Sequence, residues 1–495
     1  AWSFREFPRA AVPLRPVRVS AEPQPRQGDV AVQRLNDGRY TNSGVSCAFP
    51  VGATATIELE LAGAQVVREV RLRAWEMNAI WHTRDRALFA RAADGADWQP
   101  VPGTFAVVGT ERWGGNVNTI YSLAVNRPAQ ALRVVITPAT PEAAVYLAEV
   151  EVIGQETGRP PELTAVVSAD LDGDGQPAVV VGTAAGDLVA LGADGTERWR
   201  LSLGGRITAL AAGDLEGKGR EAVVYGSAPD RLGVVSADGR KLREIAIPAY
   251  RGIAAEPQNL TLADLDGKGQ PAIVVGVRSW QYLAYTPDLA EIWSHVIYAH
   301  SATVAAVADL DGDGRRETIA GNAYYRLNII DADGKGRLQA GRFGPEQTAV
   351  ASADLNGDGR HEVIVGTDGG DLLVFDLDGQ EPWQRNVGDR VTSIVPVPWD
   401  NGAPALAVSS ESGYVWLLRA DGTPLWKRSL GAPVRRLLEL PDGLVALAAG
   451  AGVVQLAPDG SVTAQSQPGA VTGGALLAGK VAALTADGAV HAVPL

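Results

Sequence analysis

One phrase recurs five times between residues 170 and 359 and limits what the chain can fold into. An Asp opens a short Gly-rich turn at Asp170-Leu-Asp-Gly-Asp-Gly, Asp214-Leu-Glu-Gly-Lys-Gly, Asp264-Leu-Asp-Gly-Lys-Gly, Asp309-Leu-Asp-Gly-Asp-Gly and Asp354-Leu-Asn-Gly-Asp-Gly, with successive starts 44, 50, 45 and 45 residues apart. An alternating apolar stretch such as Leu163-Thr-Ala-Val-Val-Ser precedes each turn, and an apolar run such as Ala178-Val-Val-Val-Gly or Glu362-Val-Ile-Val-Gly follows it. A third run (Asp187-Leu-Val-Ala-Leu), an Asp194-Gly195 turn and a fourth segment with an aromatic (Thr196-Glu-Arg-Trp199) complete the unit, and the Asp-Gly turn returns at 238, 333, 378, 421 and 459. Asp-Gly supplies the positive φ angles that a tight hairpin needs, so each unit reads as four antiparallel strands, A to D.

Two further units, Arg390–Ala432 and Pro433–Gly469, keep the strands without the Asp-rich turn, and Ala470–Leu495 supplies three strands. A four-stranded unit with two apolar faces cannot bury both alone, whereas a ring of units can. The expectation is an all-β chain whose residues 163–495 form a β-propeller of eight blades, a seven-bladed ring with a loose last unit being the alternative. An unpaired edge exposes backbone groups. The segment Trp2-Ser-Phe-Arg-Glu-Phe7 resembles fourth strands such as Leu425-Trp-Lys-Arg-Ser, so residues 1–19 are expected to complete the last blade.

Alternating carboxylates closed by Gly let a short loop wrap a hard cation through oxygen ligands. Two turns carry the whole set: Asp309, Asp311, Asp313 with Glu317, and Asp354, Asn356, Asp358 with Glu362. A third, Asp170, Asp172 and Asp174, has Ala178 where the last carboxylate stands and is expected to bind Ca2+ more weakly. Lys218 and Lys268 occupy the fifth position of the other two turns, where an ammonium is expected to replace the ion by pairing with Asp214 and Glu216, or with Asp264 and Asp266. These turns resemble the FG-GAP repeats of integrin α-subunit propellers and of many bacterial surface and secreted proteins. That resemblance implies a propeller with structural calcium; it does not imply integrin function.

Residues 20–155 lack the repeat and read as short alternating strands, with 156–162 as a linker. Leu35-Asn-Asp-Gly-Arg-Tyr-Thr, Val70-Arg-Leu-Arg-Ala-Trp-Glu, Ala93-Asp-Gly-Ala-Asp-Trp-Gln-Pro-Val, Leu132-Arg-Val-Val-Ile and Leu147-Ala-Glu-Val-Glu-Val follow in order. They resemble the discoidin, or coagulation factor type C, domains and the family 32 carbohydrate-binding modules. The resemblance implies a jelly-roll β-sandwich with ligand-contacting loops at one end. Trp81, His82, Arg84 and Trp113 are the candidates there, an aromatic stacking on a sugar face while polar groups fix its hydroxyls.

Between propeller strands, three neighbouring units carry unusual residues: Tyr250 and Arg251, then Arg278, Trp280 and Tyr282, then Tyr298 and His300, then Asn322, Tyr324, Tyr325 and Arg326. Other units carry bland turns such as Thr183-Ala-Ala-Gly. Trp280, Tyr282, Tyr298, Asn322, Tyr325 and Arg326 are read as ligand-binding groups. Tyr250, Arg251, Arg278, His300 and Tyr324 suit an anionic sugar, Arg neutralising a uronate and Tyr or His abstracting the neighbouring proton. The net charge of −13 argues against nucleic acid. The single Cys47 permits no intrachain disulfide, and no apolar run is long enough to span a bilayer. The reading is an extracellular, cell-surface or periplasmic glycan-binding protein acting on poly- or oligosaccharide. A uronate polysaccharide lyase or glycoside hydrolase, and a structural surface or filament protein, are the competing classes.

Overall fold

The structure, a computed structural model, describes residues 1–7, 11–26, 32–36, 47–76, 83–113, 116–155, 161–324, 326–341, 345–399 and 402–495. The chain divides into two compact units, Ala1–Pro8 with Pro160–Leu495, and Arg9–Arg159. No α-helix occurs among the described residues.

The larger unit is eight four-stranded antiparallel sheets, each built from strands consecutive in sequence except the last. In the third blade, Pro257–Ala263, Ala272–Val277, Gln281–Tyr285 and Glu291–Val296 are strands A to D. The apolar runs are B strands buried on both faces. Alternate residues of Ala178–Thr183 go to opposite neighbours: Ala178 and Val180 join the core shared with the second blade, Val179 and Val181 the core shared with the eighth. An apolar cluster of this kind fills every junction around the ring. The A strands contact one another in sequence, and the last, Val471–Leu477, meets the first, Leu163–Ala169. They enclose the axis.

Closure comes from the start of the chain. Trp2–Phe4 pairs antiparallel with Ala489–Pro494, Ser3 opposite His491, and becomes strand D of the eighth blade. Residues 11–22 do not join it. Ala11–Leu14 pairs with the strand ending at Gln155, and Arg18–Glu22 pairs with Ala55–Trp75, so the boundary expected near residue 19 falls at residue 8.

A second interaction repeats from blade to blade. Trp199 on strand D of the first blade lies flat on Gly239 in the C–D hairpin of the second, so close that a Cβ there would stand 2.6 Å from the indole. Its Nε1 donates to the Ala237 carbonyl at 2.9 Å. Trp383 repeats this on Gly422 and Ala420, and Trp426 on Gly460 and Pro458. Trp293 covers Gly334 in the same way. Trp2 makes the same latch across the closing junction, on Gly195 with a 2.8 Å hydrogen bond to Ala193. The hairpin Gly is thus fixed twice, by a φ near +80° and by the indole against it. At two junctions without a Trp, Arg243 pairs with Asp288 of the next hairpin at 2.7 Å, and Leu338 lies against Gly379.

The smaller unit joins nine strands in one antiparallel hydrogen-bonded network around its own core of Phe49, Ile57, Leu59, Leu72, Leu132, Ile136 and Leu147. Two long strands, Ala55–Trp75 and Asn116–Pro138, pair along both halves with register breaks between Glu60 and Gln65 and between Val67 and Glu69. Several short strands expected there are therefore continuous, and the pairing does not separate into the two sheets of a jelly roll.

Trp2→Ala is expected to destabilise the propeller by about 2–3 kcal/mol, through lost packing at the closing junction. Trp2→Phe, which keeps much of the contact and removes the indole N–H, should cost about 1 kcal/mol. Thermal or urea unfolding followed by Trp fluorescence checks both.

Candidate functional site

In a four-stranded meander the A–B and C–D turns lie at one end of the blade, and the B–C turns and blade-to-blade D–A connections at the other. The Asp-rich turns occupy the first end. In each, the leading Asp folds its own loop: Asp309 accepts from Gly312 N at 2.7 Å and Gly314 N at 2.9 Å, and Asp354 from Gly357 N and Gly359 N at 2.7 and 3.0 Å. The Gly219 N–H holds the carboxyl of Asp214 below its usual range. Glu317 and Glu362 open the B strands, each accepting from a turn backbone N–H, Leu310 at 2.9 Å and Leu355 at 2.8 Å. Burial pushes both carboxyls above the usual range.

The third turn position takes a different counter-charge in different blades. Lys218 Nζ lies 2.7 Å from Glu216, and Lys268 Nζ 2.8 Å from Asp266. The pairing is with the third position alone; Asp214 and Asp264 receive the backbone N–H groups of the two lysines. In the first and fourth blades an Arg bulged from strand D reaches over instead, Arg198 to Asp172 at 2.6 Å and Arg337 to Asp311 at 2.7 Å. In the fifth, Asn356 donates to Asp358 and Glu362. Asp309, Asp311 and Glu317 bring three carboxylate oxygens within 4.8 Å of one another, a donor set that fits a hard divalent cation. Arg337 already touches two of the three, at 2.7 and 3.7 Å.

The other end carries the aromatic and arginine residues of blades two to four, and they form one continuous rim. Ile297 N donates to the Trp280 carbonyl, Ser301 Oγ to the Arg278 carbonyl, and Ala323 N to the Ser301 carbonyl. The Tyr250 and Trp280 rings meet edge to face at 6.5 Å, with the Arg251 guanidinium 5.5 Å from the Tyr250 ring. His300 and Tyr324 rings lie 5.0 Å apart. Arg278 is largely exposed, with Glu256 at 3.7 Å. Tyr298 and Tyr324 are 61% and 52% exposed, high for aromatics that a purely structural rim would fold inward. Among the described residues six non-glycines have positive φ, and four sit here: Arg251, Trp280, Tyr298 and Ala299. Such backbone costs roughly 1–3 kcal/mol per residue and clusters at functional sites.

Two residues expected to contact ligand do not. Tyr282 lies inside strand C, fully buried, its hydroxyl donating to the Val304 and Gly321 carbonyls, and burial raises its pKa. Asn322 ends strand B, fully buried, and its amide donates to the Ile297 and Tyr298 carbonyls while its Oδ1 accepts from Tyr324 N. Asn322 holds the rim loop at 297–298 from beneath, whereas Tyr282 ties its blade to strands A and B of the fourth. Arg326 is exposed at the rim; Tyr325 lies outside the described residues.

In the smaller unit, Trp81, His82 and the Asp37 turn also lie outside the described residues. Arg84 falls on strand Thr83–Arg91, exposed and paired with Asp85, and Trp113 ends strand Ala106–Trp113, so neither is in the loop expected. Glu76 accepts from Thr83 and Arg86, and from the Tyr121 hydroxyl, whose pKa burial and Glu76 push up to about 12.

Residues 309–365 match the model of the FG-GAP-like repeat family. No curated protein matches the sequence significantly. Solved structures match 68% of this chain: Sqt1 of Saccharomyces cerevisiae (14% identity, 97% of that chain, TM-score 0.56), Sqt1 of Chaetomium thermophilum bound to the N-terminus of the ribosomal protein L10 (15%, 98%, 0.56) and the Dos1 propeller (12%, 93%, 0.53). These likenesses show the fold, an all-β propeller with FG-GAP-like repeats.

Tyr282→Phe and Asn322→Ala should each lower stability by roughly 1–3 kcal/mol, because buried carbonyls lose their donors. Chemical denaturation measures this loss.

Proposed function

We propose that the protein is a secreted or cell-surface glycan-binding propeller that takes its ligand on the rim of blades two to four. The observation that carries this reading is the gathering of strained backbone, exposed aromatic faces and arginines on one rim. Trp280 and Tyr298 offer faces for sugar rings, and Arg251 and Arg278 offer charged donors. The same rim supports a second reading as a uronate lyase, on the contact between His300 and Tyr324 beside Arg278. The smaller unit is all-β with its own core, and its single hydrogen-bonded network departs from the jelly roll of a discoidin-like module, so the reading rests on the propeller alone.

Calcium belongs to the same reading. It would bind at Asp309, Asp311, Asp313 and Glu317 and at Asp354, Asn356, Asp358 and Glu362, and more weakly at Asp170, Asp172 and Asp174. Its role there is to hold the turn and replace internal counter-charges. Sites of this modest charge suit compartments where calcium is abundant, which favours an extracellular, surface or periplasmic setting.

Trp280→Ala and Arg278→Ala should each weaken binding on a glycan array, or in titration with an oligosaccharide hit, by about tenfold. Wild-type protein that binds no glycan would remove the reading. Release of unsaturated uronate products, detected by ultraviolet absorbance, would select the lyase. Chelation should lower the melting temperature and added Ca2+ restore it. Without calcium, Glu317 and Glu362 have folded pKa values raised by burial. Their contribution is thus present at low pH and lost as pH rises through those values. Glu362→Gln should therefore melt no lower than wild type in chelator at neutral pH, and should gain less from calcium.

A further inference from the structure

The eight A strands enclose the axis, so their sequences furnish the lining of a central channel. Seven are free of charge: Leu163–Ala169, Ile207–Gly213, Pro257–Ala263, Ala302–Ala308, Gln347–Ala353, Val391–Trp399 and Val471–Leu477. The eighth, Val434–Leu440 of blade seven, carries Arg435, Arg436 and Glu439. Arg435 is held 3.2 Å from Glu411, in the B–C turn of blade six. Glu439 lies three residues along the strand from Arg436, about 10 Å away. Arg436 stands opposite Leu447, two residues into the strand from the rim end. Among the described residues no carboxylate pairs with it. It keeps accessible surface, yet surrounding protein depresses its pKa by burial alone. An exposed guanidinium without a carboxylate partner, on a strand that encloses the axis, is free to reach into the passage. Blade seven is four blades from blade three in either direction, so Arg436 faces, across the channel, the blade carrying Arg278 and Trp280.

We infer that Arg436 binds the carboxylate of a uronic acid residue entering the channel mouth from the rim side. The guanidinium fork matches a carboxylate in two parallel hydrogen bonds. Its single unshared charge balances one negative charge, whereas a phosphate near −2 would need a second cation that Arg435, already paired, does not supply. The sugar part of the assignment rests on the rim reading above; the anion part rests on the channel.

The test is calorimetric titration of the full chain with oligogalacturonate and with neutral oligogalactose, for wild type, Arg436→Gln and Arg436→Lys. Removing one charged hydrogen-bonding partner should weaken oligogalacturonate binding about tenfold in Arg436→Gln and leave oligogalactose binding unchanged. Arg436→Lys should recover part of the loss. Arg436→Gln should melt no lower than wild type, since it removes an exposed charge that pairs with no carboxylate. Equal effects on the two oligomers, or none on either, would overturn the channel assignment while leaving the rim reading in place. Failure of wild type to bind either oligomer would overturn both.

Discussion

Mutual burial of consecutive sheets is the constraint from which the rest follows. Each B strand is apolar on both faces, and a lone blade would leave both faces in water. Repetition removes one face at a time, and only a ring removes the last. The clusters at the eight junctions are chemically similar, and the closing one, with Trp2, Phe4 and Phe7 against Val179, Val189 and Leu484, is built of the same kinds of residues as the others. Because the cores lie between blades, both ends of every blade are free of core duties and can carry turns of any chemistry. The protein uses one end for acidic turns and the other for an aromatic and arginine rim.

The acidic turns solve one electrostatic problem in several ways. A carboxylate in the third position lies near others and needs a positive partner. In the second and third blades a Lys in the turn supplies it, and the bulge of strand D is then apolar, Leu242 and Ile292. In the first and fourth blades no Lys is present, and the bulge carries Arg198 or Arg337. The alternation links two positions some twenty-five residues apart. It makes calcium a competitor of a side chain in the fourth blade, whereas the fifth offers an Asn amide with no arginine beside it.

Much of this was legible in the chain. Asp-Gly pairs marked hairpins because the Gly accepts the positive φ and the Asp carboxylate can accept a turn N–H, as Asp194, Asp421 and Asp459 do, and the acidic turns fixed the period. The aromatic of strand D was visible at Trp199, but its partner was not, since Gly239 acquires its meaning only when the next blade is placed beside it. Tyr282 misled because the turn at 278–280 is short: two residues beyond Trp280 the chain is already strand, and the side chain points into the core. Asn322 misled because buried amides that tie loops down look, in sequence, like exposed polar groups. Arg436 carried no signal at all, as an arginine near a strand start is ordinary until the ring places it in a channel. The boundary at residue 8 was hidden because Val12 and Leu14 read equally well as propeller or as sheet until their partners near Val152 are known.

Residues 1–7 close the ring and so secure the eighth and first blades together. Hydrogen–deuterium exchange, comparing the full chain with a chain lacking residues 1–7, tests it most directly. The shortened chain should exchange faster in Ala489–Pro494, now an open edge, and in the hairpin around Ala193 and Gly195, now without its indole, with the junctions of blades three to six little changed. Equal protection of those segments in the two chains would contradict it.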